Sequence, residues 1–225
     1  YVGKRKKKWI HTGIPVRREF FHIVHQKKED SSDILNILII GGSQGASLWS
    51  DLVPAALRLL SHQNQSRVSI VHQHPPGAAS SLQKAYKNIG CTYDLVPFID
   101  NMPQRLYSAA VVFSRAGGST LAELMAVHAP SFLVPYPYCK DQHQEKNAAF
   151  FKKKGMAWVH AEVGLKPSML ARLIERCLHS PDDLKEMSKK ILVSDTDTID
   201  NKHSAKFISN FLFDLKENPL LRSSN

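Results

Sequence analysis

Gly117, Gly118, Ser119, Thr120 and Glu123 fall within "SRAGGSTLAE" (114–123), directly after the apolar run "AAVVF" and at the start of a helical pattern. Two glycines permit a compact turn, and Ser119 and Thr120 bring hydroxyls and backbone N–H groups to a helix N-terminus, where phosphate is favoured. Glu123, one turn further in, can accept both hydroxyls of a ribose. Simple N-capping by Ser119, with Glu123 as a favourable first-turn acid, accounts for the same residues.

Three other strand ends carry comparable chemistry. "GGSQGA" (41–46) follows the first apolar run, and its glycines, the Ser43 hydroxyl and the free N–H groups of the next helix also suit phosphate. It is neither G-x-G-x-x-G nor a P-loop, and a plain strand-to-helix turn is its other reading. Two such ends on nearby strands favour one shared anionic ligand over two coincidental caps. In "VPFIDNMP" (96–103), Phe98 and Ile99 read as exposed apolar residues able to pack on a flat base, and Asp100 reads as a helix cap with a hydrophobic staple. In "VPYPYCKDQHQEKNA" (134–148), a stiff Tyr136-Pro137-Tyr138 segment precedes Asp141, His143, Gln144 and Asn147, whose polar groups suit sugar hydroxyls or a capped, solvated helix start.

Other clusters are weaker. His72 and His74 have the i, i+2 spacing of metal ligands, but no third ligand has helpful local spacing. "DTD" (195–197) precedes the last helical segment and reads as a cap, not a metal-binding pair. "GASLW" is not a nucleophile elbow, so covalent chemistry finds no support.

The elements that position these ends alternate regularly. Short β-branched runs at 34–41, 67–73, 92–98, 109–114, 131–136 and 156–161 read as strands, and segments with Leu48, Leu52, Ala55 and Leu59, or Leu121, Leu124, Met125 and Val127, have helical spacing. Repeated βαβ units predict a Rossmann-like, doubly wound α/β fold with a parallel sheet covered on both faces. That domain is expected over 34–192. Residues 1–33 read as an interdomain linker with a basic segment. Residues 193–225 read as a tail whose Ile199, Ala205, Ile208, Phe211 and Leu212 form an amphipathic helix packing toward a missing partner.

At 225 residues and 43% apolar content, the chain supports one main core. It begins at Tyr1 without Met or a signal-like region, so a piece of a longer chain is expected. The longest apolar run is broken by Asn36 and falls short of the roughly 20 residues that span a bilayer, so a soluble or peripheral protein is expected. A net charge of +10 suits an anionic partner, whether nucleic acid, an anionic membrane surface or a phosphorylated ligand. The cations lie at 4–8, 27–28 and 152–154 without interleaved aromatics, which disfavours nucleic-acid bases. The run at 4–8 beside Trp9 suits lipid headgroups or an exposed loop. Cys91, Cys139 and Cys177 are widely spaced, which argues for a reducing cytoplasmic setting and against a disulfide framework or structural zinc.

Taken in order, "IPVR" (14–17), "GGSQGA", "FIDNM", "SRAGGSTLAE" and "PYPYCKDQHQEKNA" resemble the MurG family, bacterial peptidoglycan glycosyltransferases of GT-B architecture and glycosyltransferase family 28. The resemblance covers nearly the whole chain and implies its C-terminal, donor-binding half. It implies UDP-GlcNAc as donor, with Ser43 on the diphosphate, Ile99 meeting uracil through its backbone and Arg17 as a further nucleotide contact. It also implies Gly118, Ser119 and Thr120 on phosphate and sugar, Glu123 on the ribose and Gln144 on GlcNAc hydroxyls, with His143 and Asp141 close by. Ile14 stands where the family usually has Asn, and Asn101 where it has a second Asp.

The implied reaction transfers N-acetylglucosamine to lipid I, forming lipid II, by a single inverting displacement without metal or cofactor. Helix N-termini stabilise the departing diphosphate, and a base on the N-terminal domain, with the lipid I site, lies outside this chain. The resemblance further implies peripheral association with the cytoplasmic face of the inner membrane and no nucleic-acid partner. Two other functions fit the residues: a related GT-B UDP-sugar transferase with another acceptor, and a basic nucleic-acid or membrane-surface module.

Overall fold

A computed structural model describes residues 14–24, 33–41 and 46–197. Ser43, the basic run 4–8 and the amphipathic tail segment lie outside them.

Six strands form one sheet: β1 (Leu35–Ile40), β2 (Val68–Gln73), β3 (Thr92–Val96), β4 (Val111–Ser114), β5 (Ser131–Leu133) and β6 (Ala157–Val159). Each of the six expected runs contains one. Their spatial order is β3-β2-β1-β4-β5-β6, and every pairing is parallel. The chain winds one way from β1 through β2 to β3, then returns to the other side of β1 with β4. The crevice of this doubly wound sheet therefore opens at the C-terminal ends of β1 and β4, where ligands bind in such folds.

Alternation along the central strands sorts side chains into two cores. Leu35, Ile37 and Ile39 join Val111 and Phe113 on one face, where α2 (Ala46–Leu57), α4 (Ala79–Tyr86) and α8 (Pro167–His179) contribute Trp49, Leu82 and Ile174. Leu38, Ile40 and Val112 face the other way, against α5 (Met102–Ser108), α6 (Gly118–Ala126), α7 (His143–Lys154) and the Met187–Ile191 stretch of α9 (Pro181–Asp197). The short α3 (His62–Ser66) leads into β2 and is capped by Ser61, whose hydroxyl accepts the Asn64 N–H at 3.1 Å. Trp49, Phe113 and Phe132 form an aromatic cluster with ring centroids 5.7 to 6.3 Å apart, a range that favours tilted and edge-to-face packing.

The segment before β1 packs onto this domain. Val16, Phe20 and Ile23, in and just before α1 (Arg18–Ile23), are buried in the same core as Leu121 and Leu124 of α6. "DTD" at 195–197 forms the last turn of α9. The helical segment it was expected to precede lies outside the described residues.

Candidate functional site

All strands run parallel, so the loops after β1, β3, β4, β5 and β6 emerge on one edge. The "SRAGGSTLAE" stretch begins there. The α6 helix starts at Gly118, with Gly117 as its N-cap in extended conformation and no side chain capping it. Capping by Ser119 is thus not realised: Ser119 is exposed in the first turn, beside half-buried Thr120. The first-turn N–H groups have no intrahelical partners and carry the positive end of the helix dipole, an arrangement suited to phosphate.

Glu123 lies half-buried along the same helix. Burial holds its carboxyl above the ordinary carboxylate range, and the positive charge of Arg17 pulls it back part of the way. Arg17 is the N-cap residue of α1, with its guanidinium 5.2 Å from the Phe20 ring centroid. Ile14, at the start of the same segment, sits over Gly118: a methyl group added there would lie 3.3 Å from Ile14 Cδ1. Two chain segments about 100 residues apart thus meet at one helix start.

After β3 the structure corrects the expected exposure. Ile99 is only 5% exposed and belongs to the core with Leu106, whereas Phe98 is 68% exposed. With its side chain in the core, Ile99 has only backbone groups left to offer a ligand. Asp100 does not cap α5 either. The N-cap is Asn101, without a side-chain bond, and Pro103 sits in the first turn, where its missing N–H costs nothing.

The loop after β5 reaches the site from the other side. Tyr136 and Tyr138 pack edge to face with centroids 5.7 Å apart, and Tyr138 is 82% exposed. Asp141 and Gln142 take left-handed conformations at φ 60° and 51°, turning the chain through a 3-10 segment into α7. Gln144, in the first turn of α7, accepts the Tyr136 backbone N–H on its Oε1 at 3.0 Å. That bond fixes the carboxamide so that its NH2 is the half left for a ligand. His143 and Asp141 are exposed nearby. One turn on, Asn147 Nδ2 donates to the Ala116 carbonyl at 3.1 Å, tying α7 to the loop that precedes α6. The α7 helix ends at Gly155, whose φ of 68° needs no Cβ, with the Met156 N–H donating to Phe151 at 2.9 Å.

Of the eight residues implied for nucleotide sugar, the structure thus brings Arg17, Gly118, Ser119, Thr120 and Glu123 together around α6. Gln144 is joined to them through α7, and Ile99 lies buried in the core that α6 shares. Ser43 lies outside the described residues, but β1 ends beside β4, which puts the start of its loop next to that of α6.

Arg115 is a residue that pattern reading passed over. It is buried at the end of β4, with NH1 donating to the carbonyls of Val134 at 3.2 Å and Pro135 at 3.4 Å and to Glu162 Oε2 at 2.6 Å. Its guanidinium carbon lies 5.4 Å from the Tyr136 ring centroid. Only its position after a strand, among glycines, marked it in sequence.

His72 and His74 do not pair as metal ligands. Both are buried: His72 Nδ1 hydrogen-bonds the Tyr86 hydroxyl at 2.9 Å, and His74 Nδ1 the Pro75 carbonyl oxygen at 2.9 Å. Burial, with a smaller push from His74, lowers the His72 pKa from 6.5 to about 4. Among the described residues no group of three or more His, Cys, Asp or Glu is arranged to hold a metal ion.

Comparison with known proteins identifies the family and the fold. Residues 36–202 match the glycosyltransferase family 28 C-terminal domain. The chain is 35% identical over 188 residues to the UDP-N-acetylglucosamine--N-acetylmuramyl-(pentapeptide) pyrophosphoryl-undecaprenol N-acetylglucosamine transferase of Bartonella tribocorum, covering 83% of this chain and 50% of that protein. The enzyme of the same name from Brucella canis is 33% identical over 189 residues, with the same coverage of both chains. The chain spans about half the length of the curated relatives it matches. Among solved structures, MurG of Acinetobacter baumannii superposes with a TM-score of 0.65 at 29% identity, over 74% of this chain and 48% of that one. WaaG, a glycosyltransferase of lipopolysaccharide biosynthesis, shares the fold with a TM-score of 0.60 at 13% identity, over 88% of this chain and 54% of that one. The chain belongs to glycosyltransferase family 28, and its match is to the C-terminal domain of that family.

Proposed function

We propose that this chain is the donor-binding half of a MurG-type inverting transferase that moves N-acetylglucosamine from UDP-GlcNAc to lipid I. The observation that carries the reading is the side-chain-uncapped start of α6 at the switch point of the sheet, with Glu123 and Arg17 beside it and α7, which carries Gln144, tied to the preceding turn through Asn147. The names of the Bartonella and Brucella relatives support the donor and the acceptor.

In this reading residues 34–192 are the UDP-sugar domain. Ser43 and the N–H groups of Gly118 to Thr120 hold the diphosphate, Glu123 the ribose hydroxyls and the Ile99 backbone the uracil edge. Arg17 adds positive charge near the nucleotide, and Gln144 donates to GlcNAc. The diphosphate is the leaving group, so fixed N–H dipoles aimed at it stabilise the charge that develops as the glycosidic bond breaks. The acceptor's hydroxyl needs a base, and that base comes with the other half of a MurG-type enzyme; none of the residues named here is assigned that role. Association with a membrane surface on the cytoplasmic side is part of the same reading, since the acceptor is lipid-linked. No helix among the described residues is long and apolar enough to cross a membrane.

Calorimetry of the chain with UDP-GlcNAc, UDP and ADP tests the donor site. Uridine nucleotides should bind and ADP should not; equal or absent binding of all three overturns the proposal. Flotation with anionic and neutral liposomes tests the membrane contact.

A further inference from the structure

The α6 start and the Tyr136–Gln144 loop lie on different strand ends, and the second of them leaves β5 against one buried cation, Arg115. Arg115 NH1 reaches the carbonyls of Val134 and Pro135, the two residues leading into Tyr136, and its guanidinium lies over the Tyr136 ring. Tyr136 in turn donates its N–H to Gln144. The Arg115 charge is answered by Glu162, 47 residues away on the loop after β6, at 2.6 Å. The arginine is buried, its Nε makes no hydrogen bond, and Glu162 is its only carboxylate partner among the described residues. The chain of contacts runs from Glu162 to Arg115, to the β5 end, to Tyr136 and to Gln144.

We infer that Glu162 is a positioning residue for the sugar side of the donor site, acting through Arg115 on the loop that presents Gln144. The inference rests on the UDP-GlcNAc reading above. Glu162 touches no donor itself. Its carboxylate keeps the guanidinium in one orientation, and that orientation fixes the two carbonyls from which the Tyr136 loop departs. A guanidinium without its carboxylate keeps the same neutral acceptors but loses the charge-assisted bond that sets its plane. The nucleotide side, built on α6 and the Ile99 backbone, makes no contact with Glu162 in this network.

The two halves of the ligand separate the effects. On the full 225-residue chain, calorimetry with UDP and with UDP-GlcNAc is compared for wild type, Glu162→Gln and Glu162→Asp, alongside thermal melts. Glu162→Gln should weaken UDP-GlcNAc by about tenfold, the size expected for a lost charge-assisted hydrogen bond, and leave UDP within about twofold. Glu162→Asp, which keeps the charge one methylene shorter and preserves the fold, should move the same ratio by less. An unchanged ratio of UDP-GlcNAc to UDP affinity in both variants overturns the inference, as does equal weakening of both ligands, which would mark a merely structural ion pair. Wild-type protein that binds neither ligand overturns the donor reading and this inference with it. Wild-type binding with unaffected variants overturns this inference alone.

Discussion

The side-chain amide of Asn147 donates to the main-chain carbonyl of Ala116 at 3.1 Å, joining α7 to the turn that starts α6. The two helix starts that flank the proposed donor are held by this one bond in addition to core packing. Gln144 lies one turn before Asn147 on the same helix, so a shift of α7 moves the sugar-side carboxamide relative to the phosphate-side N–H groups.

Asn147→Ala leaves the Ala116 carbonyl, itself in a buried residue, without that partner. Chemical denaturation should show a loss of about 1 to 2 kcal/mol, the usual size for a lost hydrogen bond at a part-buried site. UDP-GlcNAc should bind more weakly than to wild type by a factor exceeding that for UDP. Equal affinity for both ligands in the variant and wild type would argue against a role for the bridge.

Glu123→Gln separates stability from binding. The folded carboxyl titrates above its unfolded value because burial disfavours its charge, so the stability it contributes is present at low pH and lost as pH rises through its folded pKa. A neutral glutamine escapes that loss. At pH 7 the variant should be at least as stable as wild type in urea titrations, while its UDP affinity falls because the ribose loses a charged acceptor. A variant that binds UDP normally would remove Glu123 from the site.

The His72 pKa runs the opposite way. It falls from 6.5 to about 4 in the folded chain, so between those values the unfolded state holds the extra proton. Stability is therefore retained above about pH 6.5 and declines as pH drops toward 4, by about 3 kcal/mol in total from this group. In His72→Phe, urea midpoints measured across that window should vary less with pH than in wild type. An identical slope would show that another group carries the acid sensitivity.

The three thiols should react in a set order. Burial pushes the Cys91 thiol up to about 11 and the Cys177 thiol up to about 12, which suppresses their thiolates. Cys139 is only partly buried, on the loop after β5. Peptide mapping after brief iodoacetamide treatment of the folded chain should find Cys139 modified first. Comparable labelling of all three would mean that the core opens readily.

Much of the architecture was legible because its causes are local. β-Branched runs of six to eight residues mark strands whatever surrounds them, and all six expected strands are present, trimmed by a residue or more at most ends. The glycine and hydroxyl pattern at 117–120 likewise specified a helix start able to meet an anion. Exposure was harder to read. "FID" does not reveal which of Phe98 and Ile99 faces the core, because that depends on how the loop leaves β3 and on α1, α5 and α6 arriving to cover it. Asp100 looked like a cap, yet the turn into α5 begins one residue later.

By itself, then, the sequence determined the strand and helix alternation, the motif order and the residue types at each strand end, all of which follow from preferences within a few neighbours. Tertiary structure alone decided which ends meet. The order β3-β2-β1-β4-β5-β6 puts β1 and β4 side by side, Arg17 against Glu123 and Arg115 against Glu162, and each of these rests on pairing between distant segments. A charge such as Arg115 reads as solvated until folding buries it; only then must a partner 47 residues away supply the charge that water no longer can.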